Sequence, residues 1–410
     1  MTNNKRKIIN DPIYGFVTLP NNLIYDLINH PYFQRLRRIK QLGLTNLVYP
    51  GALHTRFHHA IGAMHLMQEA LLTLKQKGIT ISSKEEDAAL IAILLHDIGH
   101  GPFSHALEHS IVKEVNHEAI SSIFMQKLNK EFKGKLNLAL QIFNNQYKKS
   151  FLHQLVSSQL DMDRLDYLKR DSFFTGVSEG IVSSDRIIKM INVVNNQLVI
   201  EHKAIYSVEK FLIARRLMYW QVYLHKTVLS AETMLVNILK RAKELSSKNV
   251  ELFATPTLKL FLKNNFTKTD FEKDPLILEN FANLDDNDII ASVKVWASHS
   301  DFILSTLCKN ILDRKLYKVE LQNSKINTNT FKSLLSKASK KYKISKNEAE
   351  YFVFKNSVNN SAYNASKFNI NVLYNNGKLL DVAKASDHLN IQSLSKKVTK
   401  FYLCYPKDII

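Results

Sequence analysis

Four of the fifteen histidines fall between His96 and His109, within Leu95-His96-Asp97-Ile98-Gly99-His100-Gly101-Pro102-Phe103-Ser104-His105. This run directly follows the apolar stretch Ala88 to Leu95. Imidazole beside carboxylate suits a hard or borderline divalent metal. A buried helix would deliver His96 and Asp97 at its C-terminal end. Gly99, Gly101 and Pro102 then break the backbone, so that His100 and His105 can converge from a loop. Alone, a His-Asp pair is as readily a hydrogen-bonded helix end, but two further runs accompany it. Upstream stands Arg56-Phe57-His58-His59 and downstream Asp161-Met162-Asp163-Arg164-Leu165-Asp166-Tyr167-Leu168-Lys169-Arg170-Asp171, giving the order H, HD, D. Asp163, Tyr167 and Asp171, spaced i, i+4, i+8, share one helical face with Arg170 close beside it. A solvated acidic-basic face is the ordinary alternative; Leu165 and Leu168 are the apolar anchors that would turn the carboxylates inward. The segment His96 to His100 is no H-E-x-x-H zinc-protease pair. Asp replaces the Glu, and the glycines break the helix that both histidines would need to share.

These residues need rigid elements to carry them. The chain has 410 residues, 45% of them hydrophobic and 23% charged, with only 11 Gly and 8 Pro. That composition excludes disordered and collagen-like classes, and apolar recurrence at three and four predicts a mainly α fold. Helices are expected over Asn22 to Asn29, Phe33 to Lys40, Arg56 to Lys77, Lys84 to His96, His117 to Leu128, Ser158 to Asp171 and, as one long element, Val208 to Leu245. Small β-hairpins are expected at Lys7 to Leu19, around Pro12 and Gly15, and at Val193 to Ile200, around Asn195-Asn196. From Tyr351 onward the texture changes. Tyr351 to Phe354, Asn369 to Tyr374 and Lys400 to Tyr405, with an Asn375-Asn376-Gly377 turn, predict a C-terminal α+β appendage. The expected division is a core over 1–245 and a C-terminal helical and α+β region over 246–410.

Lys and Arg total 56 against 37 Asp and Glu, a formal charge of +19. Such a field attracts polyanions, whether nucleotides, nucleic acid or an anionic surface. Residues 301–410 hold nineteen Lys and Arg against eight Asp and Glu, which reads as a solvated lysine-rich surface, an anion-binding region or an inter-subunit region. Cys308 and Cys404 are the only cysteines, excluding a disulfide framework. The polar first residues lack a signal-peptide core, and no run has the ~18 apolar residues needed to span a bilayer. The expectation is a cytoplasmic protein with no membrane partner.

The chain resembles the HD-domain phosphohydrolases, and more closely their deoxynucleoside triphosphate triphosphohydrolase (dNTPase) branch, which includes the vertebrate SAM- and HD-domain enzyme. The matching runs are Asn10 to Gly15, Phe33 to Gly43, Tyr49-Pro50-Gly51-Ala52 with Arg56-Phe57, and His96 to His105. The resemblance is strong over residues 7 to about 175, moderate to 235 and absent beyond 300. It implies an HD-domain helical core and a divalent metal ion (Fe, Mn, Mg, Co, Ni or Zn) held by His59, His96, Asp97 and Asp163. It puts acid-base chemistry on His100, His105 and His117, and substrate contacts on Gln41, Leu42, Arg56, Arg164, Tyr167, Asp171 and Tyr223. The implied reaction is hydrolysis at the α-phosphorus of a dNTP, releasing deoxynucleoside and tripolyphosphate, in a homodimer or homotetramer. Arg216, Tyr219, Tyr223 and Lys226, spaced i, i+3, i+7, i+10, would present two cations and two phenols on one face, Lys226 adding charge at the phosphates. Four positions depart from the family pattern. His58 stands where many relatives carry Glu, Arg164 replaces a Lys, Tyr219 replaces a His, and Asn29 replaces an Asp that reads an activating guanine nucleotide. Two alternatives stay open: the same site acting on another nucleotide or signalling phosphoester, and a basic nucleic-acid-binding protein with a vestigial HD site.

Overall fold

The computed structural model describes residues 7–103, 110, 112, 115–360, 363, 369–386 and 397–410. The fold is mainly α with small sheets. At its centre lies the helix Arg56–Gln76, buried nearly all round and packed on the helices Ser83–Leu95 and Met162–Thr175. It starts at Thr55, where His58 closes a capping box: His58 Nδ1 accepts the Thr55 N–H at 3.2 Å. His58 thus fills the third helical position of the box, where Glu or Gln is the usual partner. Gly62 lets the next helix approach, because a Cβ there would lie 2.1 Å from both Arg170 Nη2 and Asp166 Oδ1.

The helix Ser83–Leu95 opens on a Ser82–Glu85 capping box and is buried continuously from Ala88 to Leu95, which brings His96 and Asp97 to its inner end. The helix Met162–Thr175 starts four residues later than its apolar spacing suggests. Asp161 accepts the N–H groups of both Ser158 and Arg164 at 2.7 Å and so fixes the cap; Gly176, at φ +74°, ends the helix. Leu165 and Leu168 are fully buried beneath it.

Two predicted helices are interrupted. The Phe33 to Lys40 segment is a short α turn, Pro31–Gln34, then a 3₁₀ turn, Arg35–Arg38, after which Lys40 bridges Thr55. Backbone groups that a helix would use inwardly go instead to Gln41 N–H with His54 C=O and Arg56 N–H with Ile39 C=O, each at 3.0 Å. The expected Val208 to Leu245 helix divides into Ile205–Met218, a π turn Tyr219–Tyr223, and Lys226–Ser247, whose start is capped by the His225 side chain.

The hairpin of Ile8–Asp11 with Gly15–Thr18 forms around Gly15. The hairpin of Ile191–Val194 with Gln197–Glu201 extends into a four-stranded sheet, because Asn371–Leu373 pairs parallel to Gln197–Glu201 and then antiparallel to Leu379–Asp381. A three-stranded antiparallel sheet joins Lys318–Gln322, Val398–Tyr405 and Phe354–Asn360, the last starting where the sequence reading ends its strand. One buried apolar cluster runs from Val17 through Trp296 to Cys404, and a small second one lies beneath Leu334, Leu335 and Ala338. Among the described residues, no helix is long and apolar enough to cross a membrane.

Candidate active site

Three segments bring the predicted metal ligands to one point. His59 Nε2 lies 3.1 Å from Asp163 Oδ1, 3.4 Å from His96 Nε2 and 3.9 Å from Asp97 Oδ2. His96 Nε2 lies 3.4 Å from Asp97 Oδ1 and 3.5 Å from Asp163 Oδ1. Ligands about 2.1 Å from a shared ion, at tetrahedral to octahedral angles, stand about 3.0–3.5 Å apart; His59, His96 and Asp163 meet that spacing, and Asp97 meets it with His96 while standing 3.9 Å from His59 and grouping also with His100 and His117. Both imidazoles are aimed by their other nitrogen: His59 Nδ1 is bonded to Asp166 at 2.7 Å and His96 Nδ1 to the Ile93 carbonyl at 2.6 Å. With a metal bound, these bonds would keep the proton on Nδ1 and leave the Nε2 lone pairs for the common centre. The donor set therefore fits a divalent metal, and these four residues would hold it.

The charges around the centre agree. Burial alone would favour neutral His59, yet hydrogen bonds to Asp163 and Asp166 raise its pKa to about 10. Burial likewise opposes ionisation of Asp97, but the charges of His96 and Arg56, with a hydrogen bond from His100, hold it well below the usual carboxylate range. Asp163 is held low in the same way, by His59 and His96. The two ionised carboxylates thus already hold positive charge between them, on His59, and a divalent ion would take the place of that proton among the same four groups.

Asp166 and Asp11 are parts of the site that the sequence reading missed. Arg170, fully buried, donates to Asp166 at 2.9 Å and to Asp11 at 2.9 Å, completing a chain from Asp11 through Arg170 and Asp166 to His59. The run Asn10 to Gly15 was visible as a motif, but nothing local tied it to a helix 159 residues away. The loop after Asp97 is fixed by Gly99. Its N–H donates to Ser121 Oγ at 2.9 Å, Ser121 Oγ donates to the His96 carbonyl at 2.7 Å, and a Cβ on Gly99 would lie 2.3 Å from the His117 carbonyl.

Two cavities meet at Asp97, His117 and Asp163. One, of about 490 Å³, is also lined by Gln41, Leu42, Arg56, His100, Phe103, Arg164, Tyr167, Asp171, Tyr219 and Tyr223. The other, of about 560 Å³, is lined by His96 and by polar groups including Asn116, Glu118, Ser122, Gln126, Asn144, His153, Lys268 and Glu272. Every predicted substrate contact thus lines the first cavity. Arg56 Nη1 also pairs with Asp97 at 2.6 Å. Asp171 is braced from both sides, by His54 at 2.8 Å and by the Tyr223 hydroxyl at 2.6 Å. Gln41 Oε1 and Arg164 Nε are buried with no hydrogen-bond partner among the described residues. Of the acid-base candidates, His100 and His117 stack with ring centroids 3.8 Å apart. Burial, with Arg56 and His117 nearby, lowers the His100 pKa to about 3 and keeps it neutral. His105 lies outside the described residues. The single four-residue face does not form: after the π turn and the His225 cap, Lys226 is exposed, Arg216 is half-buried, and neither lines either cavity.

A helical core that converges two histidines and two aspartates on one point defines the HD class of metal-dependent phosphohydrolases. The HD-domain family model matches residues 56–171, and a model of an HD-associated region matches residues 182–257. The Bacillus subtilis protein YwfO is 32% identical over 99% of this chain and 93% of its own length. The Dictyostelium discoideum protein named deoxynucleoside triphosphate triphosphohydrolase SAMHD1 homolog is 30% identical over 76% of this chain and 59% of its own. A crystal structure of a phosphohydrolase from Bacteroides thetaiotaomicron, 54% identical, superposes with a TM-score of 0.95 and covers 98% of this chain and all of that one. The chain belongs to the HD-domain phosphohydrolase superfamily, on its dNTPase-like branch.

Proposed function

We propose that the protein hydrolyses deoxynucleoside triphosphates to deoxynucleoside and tripolyphosphate. The observation that carries this reading is the 490 Å³ cavity, in which the anionic His/Asp centre opens onto two guanidiniums, Arg56 and Arg164, and onto Tyr167, Tyr223 and Asp171. Its volume falls within the range of about 300–1,000 Å³ usual for small-molecule sites. A divalent ion at the centre supplies the acidity and phosphoryl polarisation that phosphoester hydrolysis needs at neutral pH.

The remaining work belongs to the side chains. Arg56 and Arg164 take phosphate oxygens through charge-assisted hydrogen bonds; Arg164 keeps Nε for that use, and nearby Asp161, with Asp163, holds it cationic against its burial. Asp171, fixed by His54 and Tyr223, bounds the sugar position, and Gln41 with Leu42 bounds the base end. Burial keeps Tyr167 and Tyr223 neutral, so both are hydrogen-bond donors at neutral pH. His117, at the junction of the two cavities and stacked on neutral His100, delivers a proton to the leaving 5′-oxygen, a role His105 would share. Support also comes from the name of the Dictyostelium relative, a triphosphohydrolase of this branch.

The test is to incubate protein loaded with Mn²⁺ or Fe²⁺ with each dNTP, alongside Asp97→Ala. Tripolyphosphate and free deoxynucleoside in equal amounts are expected from the wild type and neither from the variant. Pyrophosphate or orthophosphate as the first product would overturn the reading.

A further inference from the structure

We propose that Asp286, on the helix Asp286–Trp296, is a positioning residue that fixes two walls of the active-site cavity at once. The inference rests on the phosphohydrolase reading of that cavity. Asp286 is 6% exposed and takes one backbone N–H on each oxygen: Phe103 at 3.1 Å on Oδ1 and Lys40 at 3.0 Å on Oδ2. Neither donor belongs to a helix or strand that would otherwise use it.

Phe103 ends the described part of the loop that begins at His96, and it lines the cavity. Its φ is +48°, a left-handed conformation that a bulky residue adopts only where its surroundings impose it. The bond from its N–H to a buried carboxylate is such an imposition. Lys40 is the outer residue of the bridge to Thr55, whose neighbours Gln41, His54 and Arg56 are cavity walls or brace one. One carboxylate therefore ties the loop to the opposite wall across the mouth of the site.

The neighbours of Asp286 reinforce the clamp. Asp285 pairs with Arg38 and caps the helix. Arg35, fully buried beside the Phe281 ring, donates twice to the His100 carbonyl, at 2.7 and 2.9 Å. The loop is thus held at His100 from one side and at Phe103 from the other, and the second hold comes from a helix beyond the HD-domain match.

Asp286→Asn is the sharp variant, because an amide accepts one N–H with its oxygen and turns its own NH₂ against the other. In the full-length, Mn²⁺-loaded protein, hydrogen exchange at the Phe103 and Lys40 amides should speed up about tenfold. KM for a dNTP should rise about tenfold, with bound Mn²⁺ unchanged. Asp301→Asn, which removes a partner of Arg241 outside both cavities, should lower the thermal midpoint without moving KM. The proposal is overturned if Asp286→Asn leaves exchange at both amides unchanged, or if its KM matches that of Asp301→Asn. It is also overturned if the wild-type Phe103 amide exchanges at the rate of an unprotected one, a measurement that needs no variant. Failure of the wild type to cleave dNTPs would strike the substrate assignment alone, since exchange and Mn²⁺ content still decide the role of Asp286.

Discussion

The two cavities that meet at Asp97, His117 and Asp163 are similar in size and opposite in make. The one of about 490 Å³ carries Arg56 and Arg164 with three phenols; the one of about 560 Å³ carries amides, two hydroxyls and one lysine against two glutamates. Volume does not tell them apart, and the larger is the poorer match to a triphosphate. On the proposed reading the nucleotide belongs in the smaller, because of the two only that one is lined by guanidiniums, Arg56 and Arg164, the latter with its Nε unpartnered among the described residues. The other cavity reaches the same carboxylates past two glutamates that outnumber its one lysine, a lining that disfavours a polyanion.

The sharpest way to break this contrast is at the point both cavities share. Asp163→Ala should lower turnover by at least about a thousandfold, more than the loss of one stabilising donor costs, with metal content falling in parallel by elemental analysis. Retained metal with normal turnover would remove the common centre altogether. Behind it, Asp166→Asn should weaken metal affinity by about 10–100-fold, read by competition with a chelator, because His59 loses the partner that aims it. On the two sides separately, Arg164→Ala should cost about 10–100-fold in kcat/KM, whereas Asn144→Ala should cost less than about twofold; the reverse ranking would exchange the roles of the cavities.

The smallest effect is expected in neither cavity. Although burial works against it, the Tyr147 hydroxyl at 2.6 Å, Lys149 at 2.9 Å and the Ser82 cap lower the Glu85 pKa from 4.5 to about 2. A carboxylate held lower in the folded than in the unfolded chain contributes stability above pH 4.5 and loses it as pH falls towards 2. Thermal midpoints should therefore decline between pH 5 and 3 in the wild type, and less steeply in Glu85→Gln, with turnover at neutral pH unchanged.

How far the sequence could be read depended on whether a partner was local. His59, His96, Asp97 and Asp163 stand in three short runs of telling composition, and the helices carrying them follow from apolar spacing and caps. The acidic run itself was less transparent. Asp161, Asp163 and Asp166 look alike in sequence, yet the first caps the helix, the second faces the metal centre and the third braces His59. Only the packing of Arg170 against Asp11 and the narrow gap at Gly62 separates their roles. Asp286 left no signal, since its two backbone donors lie 183 and 246 residues away. In the tail, strand-forming residues were evident. The parallel pairing of Asn371–Leu373 with Gln197–Glu201 was not, because it joins segments about 170 residues apart and no turn announces it.

The π turn at Tyr219–Tyr223 was invisible for a related reason: apolar residues recur through it at helical intervals, while the chain accommodates one residue more than a helix would, closing with Leu224 N–H on the Tyr219 carbonyl at 2.7 Å. That surplus residue is what aims Tyr223 at Asp171. Were one position excised between Met218 and Leu224, a continuous α-helix would swing every later side chain by about 100° about its axis. At this place the chain specifies its chemistry by counting, and a deletion that spared every named functional group would still disarm the enzyme.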